Sequence, residues 1–66
     1  MNIILNGEPR TVPDRCTVEQ LLHELELTGK RVAVEVNGDI VPRSQHGTQQ
    51  LADRDQVEVV VAVGGG

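Results

Sequence analysis

The apolar positions change their period along the chain, and each change predicts an element. Ile3, Ile4 and Leu5 make a short strand of residues 2–5, and Asn6-Gly7 follows at once. That dipeptide is a strong hairpin signal, because both central positions of a type I′ turn need positive φ. Residues 8–12 return as a second strand, which Pro9 confines to an edge or to the strand's start. Pro13 to Cys16 then reads as a turn. From Val18 the period lengthens: Val18, Leu21, Leu22 and Leu25 recur at helical spacing and line one face. Thr17 and Gln20 form a capping-box pattern, and Gly29 offers a left-handed stop. A helix over 17–28 is therefore expected, with Leu27 off the apolar stripe and folded back near the helix end.

Alternation returns over 31–36, where Val32, Val34 and Val36 are separated by Ala33 and Glu35. Asn37-Gly38 is a second hairpin signal, returning through 39–41 until Pro42 ends the run. Residues 44–50 are polar and irregular, with room for one helical turn, and Leu51 is the anchor behind them. Asp53 to Asp55 is a polar turn, and 56–63 is a last strand so continuously apolar that it belongs in the middle of a sheet.

Hairpin, helix, second hairpin, last strand: this order packs economically in one way. It predicts an α+β fold, the β-grasp arrangement of ubiquitin, with a mixed four- to five-stranded sheet and one helix across one face. The first and last strands become parallel central neighbours. On alternation, Ile3, Leu5, Val57, Val59 and Val61 face the helix, whereas Ile4, Glu58, Val60 and Ala62 face away. Ile4, Val60 and Ala62 are thus the expected partner-docking patch, an exposed aliphatic cluster beside the chain's exit. The domain is expected to occupy residues 1–63, with 64–66 as a flexible tail.

Composition narrows the function. A chain of 66 residues is one small domain that buries only about 60% of its unfolded surface, too little to wall off a catalytic pocket. Without aromatic residues it lacks stacking platforms for single-stranded nucleic acid, and a net charge of −4 repels phosphate backbones. No stretch approaches a membrane span and no targeting segment is evident, so the expectation is a soluble, cytoplasmic protein. Cys16, the one cysteine, forms no internal disulfide and has no identifiable base, and is read as a packed bystander. His23 and His46 are read as solvent-side residues, and Asp53 and Asp55 as turn formers; no metal ligand set is expected. The chain is expected to be a substrate of enzymes and not an enzyme.

The remaining chemistry is at the end. Gly64, Gly65 and Gly66 place bare backbone behind an apolar strand, and three extended residues reach about 10 Å, enough to enter a narrow channel. A terminal carboxylate is ionised at neutral pH and resists nucleophiles until activated, for example as a mixed anhydride with a nucleotide phosphate. A short glycine tail is also what a frayed terminus looks like, so the rest of the chain decides between the two.

It does so through a resemblance. The opening Ile3-Ile4-Leu5-Asn6-Gly7 and the helix start at Thr17-Val18 with Leu21-Leu22 are similar to those of the ThiS family. The run from Ala33 to Arg43, then Leu51, Asp55 to Val60, and Val63 to Gly66 continue the likeness over essentially the whole length. These are ubiquitin-like sulfur carriers of thiamine biosynthesis. The resemblance implies that Gly66 is adenylated by a ubiquitin-activating-like adenylyltransferase that consumes ATP. A sulfur-transfer enzyme then makes the thiocarboxylate, which donates sulfur to thiazole synthase. Gly64 and Gly65 would thread the partner's channel, and no cofactor would be bound by the chain itself. Two positions depart from the family pattern: Ser44-Gln45-His46 lacks an aromatic residue often found there, and Arg54 replaces a turn glycine. Three rivals remain at this point. One is the small subunit of molybdopterin synthase, with the same tail chemistry; another is a ubiquitin-like modifier that forms isopeptide bonds; the third is an interaction module with an inert tail.

Overall fold

The computed structural model describes residues 1–62; the expected tail, Gly64 to Gly66, and Val63 before it lie outside the described residues. Five strands form one sheet in the order β2-β1-β5-β3-β4: β1 (Asn2–Leu5), β2 (Glu8–Thr11), β3 (Val32–Val36), β4 (Asp39–Ile40) and β5 (Gln56–Val61). β5 pairs parallel with β1 and antiparallel with β3, so the most apolar strand is the central one, as its composition demands. Together with α1 (Val18–Glu24), the one α-helix of the described residues, this mixed sheet is a β-grasp fold.

Both hairpins turn where glycine and asparagine permit positive φ. Asn6 and Gly7 stand at 49° and 84°, Asn37 and Gly38 at 52° and 87°, the conformations a two-residue loop needs to match the strand twist. The helix starts as its cap predicts. Thr17 Oγ1 accepts from the Gln20 N–H at 3.1 Å, and Gln20 Oε1 accepts from the Thr17 N–H at 2.9 Å.

Its end does not follow the expectation. The helix stops at Glu24, not at 28, and the left-handed residue of the stop is Glu26, at φ 61°, not Gly29. Leu27 N–H donates to Leu22 O at 2.8 Å and Glu26 N–H to His23 O at 3.0 Å. That pair of bonds is a Schellman closure, and it turns Leu27 back against the core, where it is half-buried. Early closure satisfies the last carbonyls and seats Leu25 and Leu27 together, which offsets the strain of a glutamate in the left-handed region. Gly29 is left-handed too, at φ 82°, but in the following turn.

Core and crossing segments are aliphatic. Ile3, Val18, Leu21, Leu22, Val34, Val36, Val57 and Val59 close over one another with Val12, Cys16, Val41 and Leu51. Residues 43–45 make the expected short helical turn, of 3₁₀ type. The polar segment behind it is tied to the helix start: Val18 N–H donates to Gln49 O, Glu19 N–H to His46 O and Leu51 N–H to Cys16 O. His46, expected at the solvent, is buried instead. Its Nε2–H donates to Val41 O at 3.1 Å, so the imidazole fills the space beneath the 3₁₀ turn with its proton satisfied. Val61, expected to face the helix, is 40% exposed, because the core ends before it.

Candidate functional site

The root of the tail is fixed by strand alternation. Asn37 N–H donates to Gln56 O at 2.7 Å and Ala62 N–H to Arg31 O at 2.9 Å. Gln56, Glu58, Val60 and Ala62 therefore turn their peptide groups to β3, and Val57, Val59 and Val61 turn theirs to β1. On the β1 side, Val57 O accepts the Asn6 N–H at 2.9 Å. There β1 turns away, and the Asn6 side chain takes over the pairing. Its Oδ1 accepts from Val59 N–H at 2.9 Å, and its Nδ2 donates to Val59 O at 3.3 Å. At the opposite end of β5, Asn37 Oδ1 accepts from Gln56 N–H at 2.9 Å, and its Nδ2 reaches Asp55 Oδ1 at 3.0 Å. Each hairpin asparagine thus makes its own turn and also fastens one end of the last strand. The sequence shows the turns; it gives no sign of the second role.

The expected docking patch is only partly assembled. Val60 is 61% exposed and sits opposite Ala33, which is exposed too, with exposed Ala62 two residues further along. Ile4 is half-buried and pairs with Pro9 and Gln56. Val60 lies four residues beyond Gln56 along β5, about 13 Å at the rise of a strand. Ile4 is therefore not beside Val60. The register puts another aliphatic residue on that face: Ile40, 73% exposed, stands opposite Glu35. Its placement was legible, because a two-residue loop at Asn37-Gly38 forces Glu35 to pair with Ile40. Between the aliphatic positions, Glu35 and Glu58 oppose one another directly across β3 and β5. Like charges so placed destabilise a sheet, and no Lys, Arg or His occupies an outward position of the described central strands. The outward face at the end of β5 is thus an aliphatic and acidic surface.

Other reactive side chains resolve as structure. Cys16 is wholly buried, and burial, then the charge of Glu24, pushes its thiol pKa up, away from nucleophilic use. Asp55 Oδ2 accepts from Ala52 N–H at 2.7 Å and so forms the turn, whereas Asp53 Oδ1 accepts from Asn2 N–H at 2.8 Å and ties that turn to β1. His23 is exposed, its Nδ1 3.5 Å from Thr28 Oγ1. No group of three or more His, Cys, Asp or Glu among the described residues could hold a metal ion. A broad open depression of about 850 Å3 runs along the helix, lined by charges of both signs including Arg15, Glu19, Glu24 and Arg43. The hydroxyl and imidazole that meet in its lining, Thr28 Oγ1 and His23 Nδ1, are solvent-exposed and at the outer limit of a hydrogen bond. No helix of the described residues is long and apolar enough to cross a membrane.

Three comparisons bear on this geometry. The model of the ThiS family matches residues 3–66. The whole chain is 42% identical to part of a thiazole synthase of Paramagnetospirillum magneticum and 44% identical to part of one from Magnetococcus marinus; it spans 20% of the length of each. Against the sulfur carrier protein ThiS of Bacillus subtilis it is 38% identical over 63 residues, 94% of this chain and 96% of that one. The crystal structure of the thiamine biosynthesis protein ThiS from Geobacter metallireducens superposes with a TM-score of 0.84 at 35% identity, each chain covered completely. A β-grasp body, a central last strand whose two ends are fastened by hairpin asparagines, and a family match that runs on through the terminal glycines agree: this chain belongs to the ThiS family, the family of the Bacillus subtilis sulfur carrier.

Proposed function

We propose that this sulfur-carrier domain of thiamine biosynthesis works through Gly66. The Gly66 carboxylate attacks the α-phosphate of ATP on an adenylyltransferase, pyrophosphate leaves, and an acyl adenylate results. A sulfide-level sulfur from a transfer enzyme then displaces AMP and leaves a thiocarboxylate. Thiazole synthase takes that sulfur for ring formation. ATP belongs to the activating partner, and the chain contributes a stable mount, a docking face and a side-chain-free thread.

The observation that carries this reading is the family match over residues 3–66, glycines included. The thiazole synthases support the choice of recipient, because a domain like this one is part of their own chains. A carrier held on its acceptor is presented at high effective concentration, which is how two proteins that must meet repeatedly come to be fused. The exposed Val60, Ala62 and Ile40 around the Glu35–Glu58 pair suit successive docking by partners.

The test is an intact-mass measurement after incubation with ATP, an adenylyltransferase and a sulfur-transfer enzyme. The mass before incubation is read first, to determine whether Gly66 carries the free carboxylate. Exchange of one oxygen for sulfur at Gly66 is expected; an unchanged mass, under conditions that load a known carrier, overturns the reading. Gly65→Val, which places a branched side chain in a channel sized for bare backbone, is expected to abolish loading while the far-ultraviolet spectrum of the domain stays the same.

A further inference from the structure

We propose that Asn6 is a positioning residue for the tail: its side-chain amide closes the β1–β5 ladder at Val59 and so sets the direction in which β5 leaves the sheet. This rests on the reading that Gly66 is activated by a partner.

The argument begins with what the turn needs. Positive φ at residue 6, here 49°, is met by glycine at least as well as by asparagine, so the hairpin itself does not require an amide. The last strand does. Past Val57 no backbone of the described residues pairs with its β1 flank, yet Val59 N–H and C=O still point there. A carboxamide offers an acceptor and a donor side by side, as a peptide unit does, and Asn6 uses both on Val59 across 53 positions of sequence. It acts as one more residue of β1.

Among the described residues, no strand covers that flank beyond Val59. On the other flank β3 continues, with Val32 opposite Val61 and Ala62 N–H on Arg31 O. The last described residues are therefore held along one edge only, and a strand held along one edge swings about it. Asn6 is the final fastening against that swing. Without it, the last attachment on the β1 side retreats to Val57. The body is unchanged, but the thread leaves it over a wider range of directions.

Asn37 supplies the matched comparison. It has the same turn partner, nearly the same φ at 52°, and the same kind of bond to the same strand, but at Gln56, the end away from the tail. Loss of either amide removes hydrogen bonds from β5; loss of Asn6 alone loosens the exit.

The experiment uses Asn6→Gly and Asn37→Gly in the full chain, each keeping its turn. Activation is followed by ATP–pyrophosphate exchange on a ThiS-activating adenylyltransferase, and amide hydrogen exchange by NMR. For Asn6→Gly, exchange at Val59 accelerates and KM for the carrier rises by about 3- to 10-fold, within the range of the two hydrogen bonds lost, with kcat unchanged. Asn6→Asp, which keeps an acceptor for Val59 N–H but not the donor, falls between. Asn37→Gly loses stability yet keeps its KM within about twofold of the parent, since the bond it loses does not touch the exit. The proposal is overturned if Asn6→Gly activates with the parent KM while Val59 exchange is accelerated, or if Asn37→Gly raises KM as much. An inert parent chain would mark failure of the activation reading instead. In that event residual dipolar couplings at Val61 and Ala62 decide: they change in Asn6→Gly and not in Asn37→Gly if Asn6 sets the exit, and change equally or not at all if it does not.

Discussion

Replacing Arg54 by glycine is expected to stabilise this domain. Arg54 sits at φ 69° in the turn before β5, where a Cβ crowds the following carbonyl at a cost of about 1–2 kcal/mol. Glycine removes that crowding but returns about 0.5–1 kcal/mol through the greater freedom of its unfolded chain. The backbone bond that closes the turn, Asp55 N–H to Ala52 O at 3.1 Å, and the one that ties it to β1, Arg54 N–H to Asn2 O at 2.6 Å, need no side chain. Nor is the guanidinium missed: it is 92% exposed, and its 3.8 Å approach to Asp53 is a surface contact of the kind worth almost nothing. The net gain is about 0–1.5 kcal/mol, centred on about 0.75 kcal/mol, and at about 4–8 °C per kcal/mol for a domain of this size the central value raises Tm by about 3–6 °C.

The assay is thermal and urea unfolding of the parent, Arg54→Gly and Arg54→Ala side by side. Alanine keeps the Cβ and therefore the strain, so it should unfold with the parent, and glycine above both. If glycine is no more stable than alanine, positive φ at this position carries no cost and the reasoning is wrong. The same logic extends to Arg15 and Glu26, at φ 63° and 61°.

Gly29→Ala makes the converse test: its added Cβ would meet no atom within 4 Å, so the φ of 82° costs about 1–2 kcal/mol, offset by about 0.5–1 kcal/mol from the stiffer unfolded chain, and urea unfolding should show the difference as a loss. Thr17→Ala removes the capping box and should cost about 1 kcal/mol by the same measurement. Glu58→Gln relieves the carboxylate pair across β3 and β5 and should gain about 0.2–1 kcal/mol at low salt, shrinking as salt is added. Cys16 gives a pH dependence. Its folded pKa is raised above the ordinary 9.0, so its contribution is intact below that value. Stability should fall as pH climbs through 9.0 toward the folded pKa, because the unfolded thiol ionises first. Cys16→Val should flatten that decline in an unfolding series taken against pH.

Sequence periodicity was enough for the elements whose determinants are local. Two Asn-Gly pairs, a Thr-Gln capping box and an unbroken valine strand each contain the whole reason for what they do, and the sheet order follows from them. What stayed hidden depends on partners far along the chain. Nothing in Ser44-Gln45-His46 marks the imidazole as buried; that takes a carbonyl at Val41 and a 3₁₀ turn to lay the ring over it. Nothing in Asn6 announces a bond to Val59. The register of a parallel pair is also silent in sequence, since no short turn fixes it, and for that reason Ile4 was assigned to a patch from which β5 carries Val60 away.

The helix end is the most consequential of these differences, because it shapes the site. A helix over 17–28 would have run about 18 Å at 1.5 Å per residue; one of 7 residues runs about 10 Å. β5, with 6 residues, extends about 20 Å, about twice the length of the helix. Cover begins at Val57 and fails by Val61, whose side chain is left 40% exposed on the inward face while Val60, at 61%, is open on the other. The end of α1, Leu27 and Val32 line one depression, and Val32 pairs with Val61. The early closure at Glu26 thus lies at the end of the sheet where the central strand is apolar and open on both faces. Such an end is poorly satisfied in water and better satisfied between the walls of a channel. Extending the helix by replacing Glu26 and Gly29 with alanine tests this directly. If the helix advances over Val61, the isolated domain gains stability, while loading at Gly66 falls because the strand end can no longer be enclosed. If loading holds at the parent rate with Val61 covered, the exposed strand end has no part in activation.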